Sequence, residues 1–233
     1  MNSGVIVLAA PRVSLCGSAA LLLDAEGPLA LSTQERIWRL GDKVRGWSGV
    51  VDVQPGMNSL LVVLDPVDAD PAELSARLLE VWPTIEAGRI AGRLLEVGVV
   101  YGGEGGQDLP DVAAYHRLEP EAIVALHAAH EYVIFAPSVS PGYGYLFGLD
   151  PRLFTPRRKV PAMRRVGGIV SIGGGQSNLG KPWTEGSPTM NPTGWHVIGR
   201  AQNLPVPFDL SNDPPNLLSL GDRIRFRVDR IEK

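Results

Sequence analysis

The chain has 233 residues, 44% of them hydrophobic and 20% charged, with a net charge of −3. This is the composition of a globular protein with one large or two small domains, and it excludes a general affinity for nucleic acid. The single cysteine, Cys16, excludes an intrachain disulfide and fits a reducing compartment.

The first fifteen residues, MNSGVIVLAAPRVSL, carry a short apolar run without a basic segment before it. They read neither as a signal peptide nor as a membrane span, so a cytoplasmic location is expected. Positions 19–23 form an apolar strand. Ser32-Thr33-Gln34-Glu35 has the spacing of a capping box, and Ile37, Leu40 and Val44 follow at helical spacing up to Gly46. Strands at 50–53 and 60–64 flank the turn composition Gln54-Pro55-Gly56-Met57-Asn58. Asp70-Pro71 opens a second helix, with Leu74, Leu78 and Val81 as its buried stripe and Pro83 as its end. With 94–100 as a last strand, the order from about residue 12 to 100 is β-α-β-β-α-β, the ferredoxin-like split pattern.

Beyond Tyr101 the texture changes. Gly102-Gly103-Glu104-Gly105-Gly106 leads into helix starts at Asp108-Leu109-Pro110 and Glu119-Pro120. From Tyr132 onward, short apolar runs alternate with loops rich in Pro and Gly, as in a closed or nearly closed β-barrel. In the last run Ile224, Phe226 and Val228 alternate with Arg225 and Arg227, which places one face inside and one in water. The division is a small α+β domain over 1–92 and a mainly β domain over 93–233.

Several residues invite chemistry. His127 sits at a helix end, where imidazole can act as an acid or base near neutrality; the alternative is a structural histidine bonded to its neighbours. His127, His130 and Glu131 do not make a metal set, because two ligands at helical spacing lack a third, and no metal is expected. The glycines at 102–106 follow a strand as a nucleotide loop does, yet they lack the G-x-x-x-x-G-K-[ST] pattern; tight-turn glycine is the alternative. Gly173-Gly174-Gly175-Gln176-Ser177-Asn178 either offers amides to an anion or carboxylate or closes a barrel turn. Tyr143, Tyr145 and Trp195 suit a ligand wall, a partner anchor or a core. Arg157 can clamp a carboxylate bidentately or stand as a surface arginine. It belongs to an acid-free basic run, Arg152, Arg157, Arg158, Lys159, Arg164 and Arg165, read as a solvated loop or a docking patch.

The stretch LHAAHEYVIFAPSVSPGYGYLFGLD, from Leu126 to Asp150, resembles a segment of the 5-oxoprolinase B-subunit family. That family also contains allophanate hydrolase subunit 1 proteins and the sporulation-kinase inhibitors called KipI. Val100-Tyr101-Gly102-Gly103-Glu104 with Asp108-Leu109, Pro156-Arg157, Gly168-Ile169-Val170 with Gly174 and Gln176, Gly194-Trp195 with Ile198-Gly199-Arg200, and Gly221-Asp222-Arg223-Ile224-Arg225-Phe226 match further family motifs in order. The resemblance implies a cyclophilin-like barrel for the second domain. It also implies a heteromeric complex with a homologous C subunit, joined by an A subunit. It implies an ATP-dependent hydrolase, with Mg-ATP held by the complex, that opens 5-oxoproline to glutamate. It equally permits a KipI-like inhibitor of a histidine kinase, or a carboxyltransferase-like half acting on a urea-like substrate. On this reading His127, Tyr145 and Arg157 are assigned to the chemistry. Tyr132, Pro141, Gly142, Tyr143, Gln176 and Trp195 are assigned to substrate or partner binding.

Overall fold

Residues 7–88, 92–138, 141–182, 185–186 and 189–233 are described by the computed structural model. Ser140, within the stretch from Leu126 to Asp150, and the first six residues lie outside them. The chain divides into two units, Met1–Ile90 and Ala91–Lys233, each with its own apolar core.

In the first unit, strands β1 (Arg12–Leu15), β2 (Ala20–Asp24), β3 (Val50–Pro55) and β4 (Ser59–Leu64) form an antiparallel sheet in the order β1-β2-β4-β3. Helices α1 (Leu31–Val44) and α2 (Pro71–Val81) bury Ile37, Leu40, Val44, Leu74 and Leu78 in a core shared with Leu21, Leu23, Leu60 and Val62. Each such side chain, fully removed from water, stabilises the fold by roughly 1.5–3 kcal/mol. Asp70 caps α2 as its sequence predicts, accepting from the Ala72 and Glu73 amides.

Two expectations for this unit are corrected. The unit is not the β-α-β-β-α-β split: its elements run β-β-α-β-β-α, and the strand at 94–100 belongs to the barrel of the second unit. The edge beside β2 is taken by β1, against which β2 returns as a hairpin after the left-handed Gly17. The capping box also does not form, because α1 starts at Leu31 with Ala30 as its cap and no side-chain cap bond. Gln34 turns inward instead. It is fully buried, donates to the Gly56 carbonyl at 2.7 Å and accepts from the Asn58 amide at 2.9 Å, so it closes the β3–β4 turn.

The second unit is a closed barrel of seven strands. They are β5 (Leu94–Gly102), β6 (Glu131–Pro137), β7 (Gly144–Phe147), β9 (Ile169–Gly173), β10 (Gln176–Leu179), β12 (His196–Ala201) and β13 (Arg223–Glu232). Their order is β10-β7-β6-β13-β5-β12-β9, and β9 pairs with β10 to close the ring. The β5–β13 pair is parallel, whereas the others are antiparallel. A two-stranded ribbon, β8 (Ala162–Arg165) with β11 (Met190–Thr193), stands outside the ring. Helices α3 (Leu109–His116) and α4 (Pro120–Ala128) add Leu109, Val112, Ile123 and Val124 to the core that Ile134, Val170, Ile172, Ile198, Ile224 and Phe226 fill from the strands. β5 reads as a barrel strand because it is buried on both faces from Val99 to Gly102. Among the described residues no helix is long and apolar enough to cross a membrane.

Candidate functional site

Closing the ring brings four segments to one place. The β9–β10 hairpin turns through Gly173, Gly174 and Gly175, and the segment 155–158 is laced to it. Thr155 and Gly174 exchange backbone bonds, the Gly174 amide donating at 2.6 Å and the Thr155 amide at 3.2 Å. On the other side, His196 Nε2 donates to the Pro156 carbonyl at 2.9 Å and the Arg158 amide to the Gly194 carbonyl at 2.8 Å. Arg157 is therefore held by its neighbours on both flanks. Its guanidinium lies over the Trp195 ring, 4.4 Å from the centroid, and donates to Gln176 Oε1 at 3.4 Å. Tyr145, from β7, stacks with Trp195 at a centroid distance of 6.4 Å and 16° between planes. A Cβ on Gly173 would stand 2.9 Å from Trp195 Cε3 and 3.2 Å from Arg157 Cγ, so the bare backbone there is what lets both side chains lie against the hairpin. The glycine run thus serves as a barrel-closing turn, and the Gly174 amide is engaged by Thr155.

Tyr145, Arg157, Gln176 and Trp195 are brought together, with Arg157 exposed and the other three half-buried. The remaining sequence-predicted residues lie elsewhere. His127 is fully buried in the barrel core, 4.9 Å from the Phe226 ring centroid and 5.2 Å from that of Tyr132. Its Nδ1 is 2.8 Å from Tyr101 Oη, and its Nε2 is 2.9 Å from Ser177 Oγ. Burial pushes its pKa down to about 3 and pushes the Tyr101 phenol up, so both are neutral. Ser177 has the Ser171 carbonyl as an acceptor. All donors are placed when Tyr101 donates to Nδ1, Nε2–H donates to Ser177, and Ser177 donates to Ser171. Tyr132 is also wholly buried and donates to the His127 carbonyl at 2.8 Å. Tyr143 is buried and donates to the Pro205 carbonyl at 3.2 Å, while Gly142, at φ +89°, lies tight against the Pro207 carbonyl. Pro141 is exposed at the turn.

The basic run divides: Arg157 and Lys159 are exposed, while the other four arginines bond carboxylates. Arg152 bonds Asp150 at 2.7 Å, and Arg165 reaches Glu104 at 2.9 Å. Arg158 and Arg164 converge on Asp108, which is fully buried and also accepts the Val197 amide at 2.8 Å. Burial alone would raise the Asp108 carboxyl; the Arg164 hydrogen bonds, the Val197 amide and the two guanidinium charges outweigh it and hold the pKa below its ordinary value. Asp108 occupies the N-cap position of α3, yet its side chain makes no cap bond. The available signal for its role was the acid-free run itself, whose arginines needed counter-charge from elsewhere in the chain.

The glycines at 102–106 do not fit a nucleotide. Gly103–Gly106 form a 3₁₀ turn, and the Glu232 carboxylate, paired with Arg230, lies against Gly103 and occupies the space there. Among the described residues no group of three or more His, Cys, Asp or Glu is placed to hold a metal.

Residues 11–218 match the family described as carboxyltransferase domain, subdomain C and D. The B subunit of 5-oxoprolinase from Escherichia coli O157:H7 is 38% identical over 92% of this chain and 94% of its own length. The chain belongs to the 5-oxoprolinase B-subunit family of carboxyltransferase domains. A second relative of that name, from Haemophilus influenzae, is 34% identical over 92% of this chain and 96% of its own. The urea carboxylase of Kluyveromyces lactis shares the fold, with a TM-score of 0.71 at 19% identity over 98% of this chain and 23% of that one.

Proposed function

We propose that the chain is the B subunit of a 5-oxoprolinase-type assembly, which opens 5-oxoproline to glutamate at the expense of ATP together with A and C subunits. The observation that supports this most directly is the convergence of Tyr145, Arg157, Gln176 and Trp195 on one accessible cluster of the barrel unit. The cluster offers a cation, an amide and two aromatic faces, which suits binding of a small polar ring. It contains no serine, cysteine or lysine nucleophile paired with a base, and the chain has no fitting nucleotide cradle among the described residues. It is therefore one part of a divided active site, and Mg-ATP falls to a partner subunit. An amide is a poor electrophile; phosphorylating its oxygen activates the carbonyl carbon toward water, the ring C–N bond then breaks with the amine as leaving group, and hydrolysis of the resulting acyl phosphate gives glutamate and phosphate. This chain binds and orients the lactam and shields one side of it from water.

The three purified subunits, mixed and supplied with Mg-ATP and 5-oxoproline, should release glutamate and ADP in equal amounts, and this chain alone should release neither. An assembly that turns over equally well without this chain would remove the assignment. A KipI-like regulator would instead bind a histidine kinase whether or not the lactam were present.

A further inference from the structure

The basic run contains one arginine that differs from the rest. Arg152, Arg158, Arg164 and Arg165 each bond a carboxylate. Arg157 has none among the described residues; its partners are the neutral Gln176 amide and the Trp195 face. A guanidinium carries five donors in a planar fork, and one bond to Gln176 leaves most of them for a ligand. The fork is also pre-oriented. Its backbone is pinned on one side to Gly174 through Thr155 and on the other to Gly194 through Arg158. Its plane rests on an indole that itself lies against Gly173. An exposed, immobilised guanidinium without a counter-ion, beside two aromatic rings, is the arrangement that recognises a small carboxylate attached to a flat ring.

We propose that Arg157 is the specificity-determining residue that clamps the carboxylate of the substrate, while the Trp195–Tyr145 wall receives the ring. The proposal rests on the 5-oxoprolinase reading for the ring amide, and it adds the way the acid is told apart from its neutral analogue. A carboxylated lactam satisfies both the fork and the wall. 2-Pyrrolidone, the same ring without the acid, and urea, which lacks both ring and acid, leave the guanidinium unpaired.

Two measurements test this, one on the full chain and one on the assembly of three subunits. Ligand-observed saturation-transfer NMR on the chain should show 5-oxoproline binding and little 2-pyrrolidone binding. Arg157→Gln should weaken 5-oxoproline binding roughly 10- to 100-fold, the scale of a lost charge-assisted pair, with Arg157→Lys in between. In the assembly, Arg157→Gln should raise KM for 5-oxoproline by a similar factor and leave KM for ATP and the melting temperature unchanged. An active assembly whose KM for 5-oxoproline is indifferent to Arg157→Gln overturns the clamp and leaves the functional assignment intact. An assembly inactive on 5-oxoproline sinks the assignment, and the clamp is then judged by NMR alone. There, equal binding of 2-pyrrolidone, retention of 5-oxoproline by Arg157→Gln, or no binding of 5-oxoproline at all overturns it.

Discussion

Both ring nitrogens of His127 are bonded inside the barrel, and no part of the side chain reaches solvent. At residue scale this predicts a pH signature. The folded-state pKa lies at about 3, against 6.5 for the ordinary group. Between those values the unfolded chain binds a proton that the folded chain does not, so stability is full above 6.5 and falls as the pH drops toward 3. His127→Gln should cost about 1–3 kcal/mol at neutral pH through lost buried bonds. It should also flatten the upper part of the acid slope, leaving the contribution of His116, whose pKa burial lowers in the same direction, and at lower pH those of carboxyls held below their ordinary values, such as Asp108 and Glu26. Activity per folded molecule in the assembly should barely change. A variant with intact melting and collapsed turnover would instead return His127 to the chemistry. Asp108 gives a second test. Its removal leaves Arg158 and Arg164 half-buried without their counter-charge, and Asp108→Ala should destabilise the fold by about 3–5 kcal/mol in urea unfolding. A loss under about 1 kcal/mol would mean that the arginines find solvent or Asp111 at no cost.

At the scale of elements, local signals were legible where a short-range interaction decides the outcome. The Asp70 cap, the helix at 71–81 and the alternation of Ile224 and Phe226 with Arg225 and Arg227 follow from residues within one turn or one strand; Val228, expected inside, is exposed, where the β5–β13 register shifts between Val228 and Arg230. The failures have long-range causes. Gln34 left its capping box for a turn more than twenty positions away, and the strand at 94–102 found its parallel partner at 223–232. No window of sequence displays such pairings. The candidate site was partly legible for the same reason. Tyr145, Arg157, Gln176 and Trp195 could be picked singly by chemistry, but ring closure assembles them. His127 and Tyr132, equally suggestive by type, went to the core. The hairpin glycines offer an element-scale test. Gly173→Ala pushes a methyl into the Trp195 ring and the Arg157 stem without touching the barrel interior. It should shift melting by only a few degrees, roughly 1 kcal/mol, while weakening 5-oxoproline binding. Unchanged binding by a folded Gly173→Ala protein would show that the Trp195 platform is not part of the site.

At the scale of the whole molecule, the two units carry separate cores: one built on Leu21, Ile37, Leu60, Leu78 and Trp82, the other on Tyr101, Tyr132, Val170, Ile198 and Phe226. Every barrel strand and all four residues of the candidate site lie in the second unit. A domain with its own core and a closed hydrogen-bond ring has no edge strands in that ring left to satisfy and can fold alone. Residues 91–233 expressed by themselves should therefore give a soluble, cooperatively melting protein that retains the Arg157-dependent binding of 5-oxoproline. Deleting β13 from that fragment should abolish folding, because β13 is the strand that joins β5 to β6 and closes the ring. The readouts are a single sigmoidal melt by circular dichroism and the same saturation-transfer difference between Arg157 and Arg157→Gln. If residues 91–233 fold but bind nothing that the full chain binds, the barrel unit does not hold a complete site. If they fail to fold, the barrel depends on that unit for stability, and the two cores are not independent.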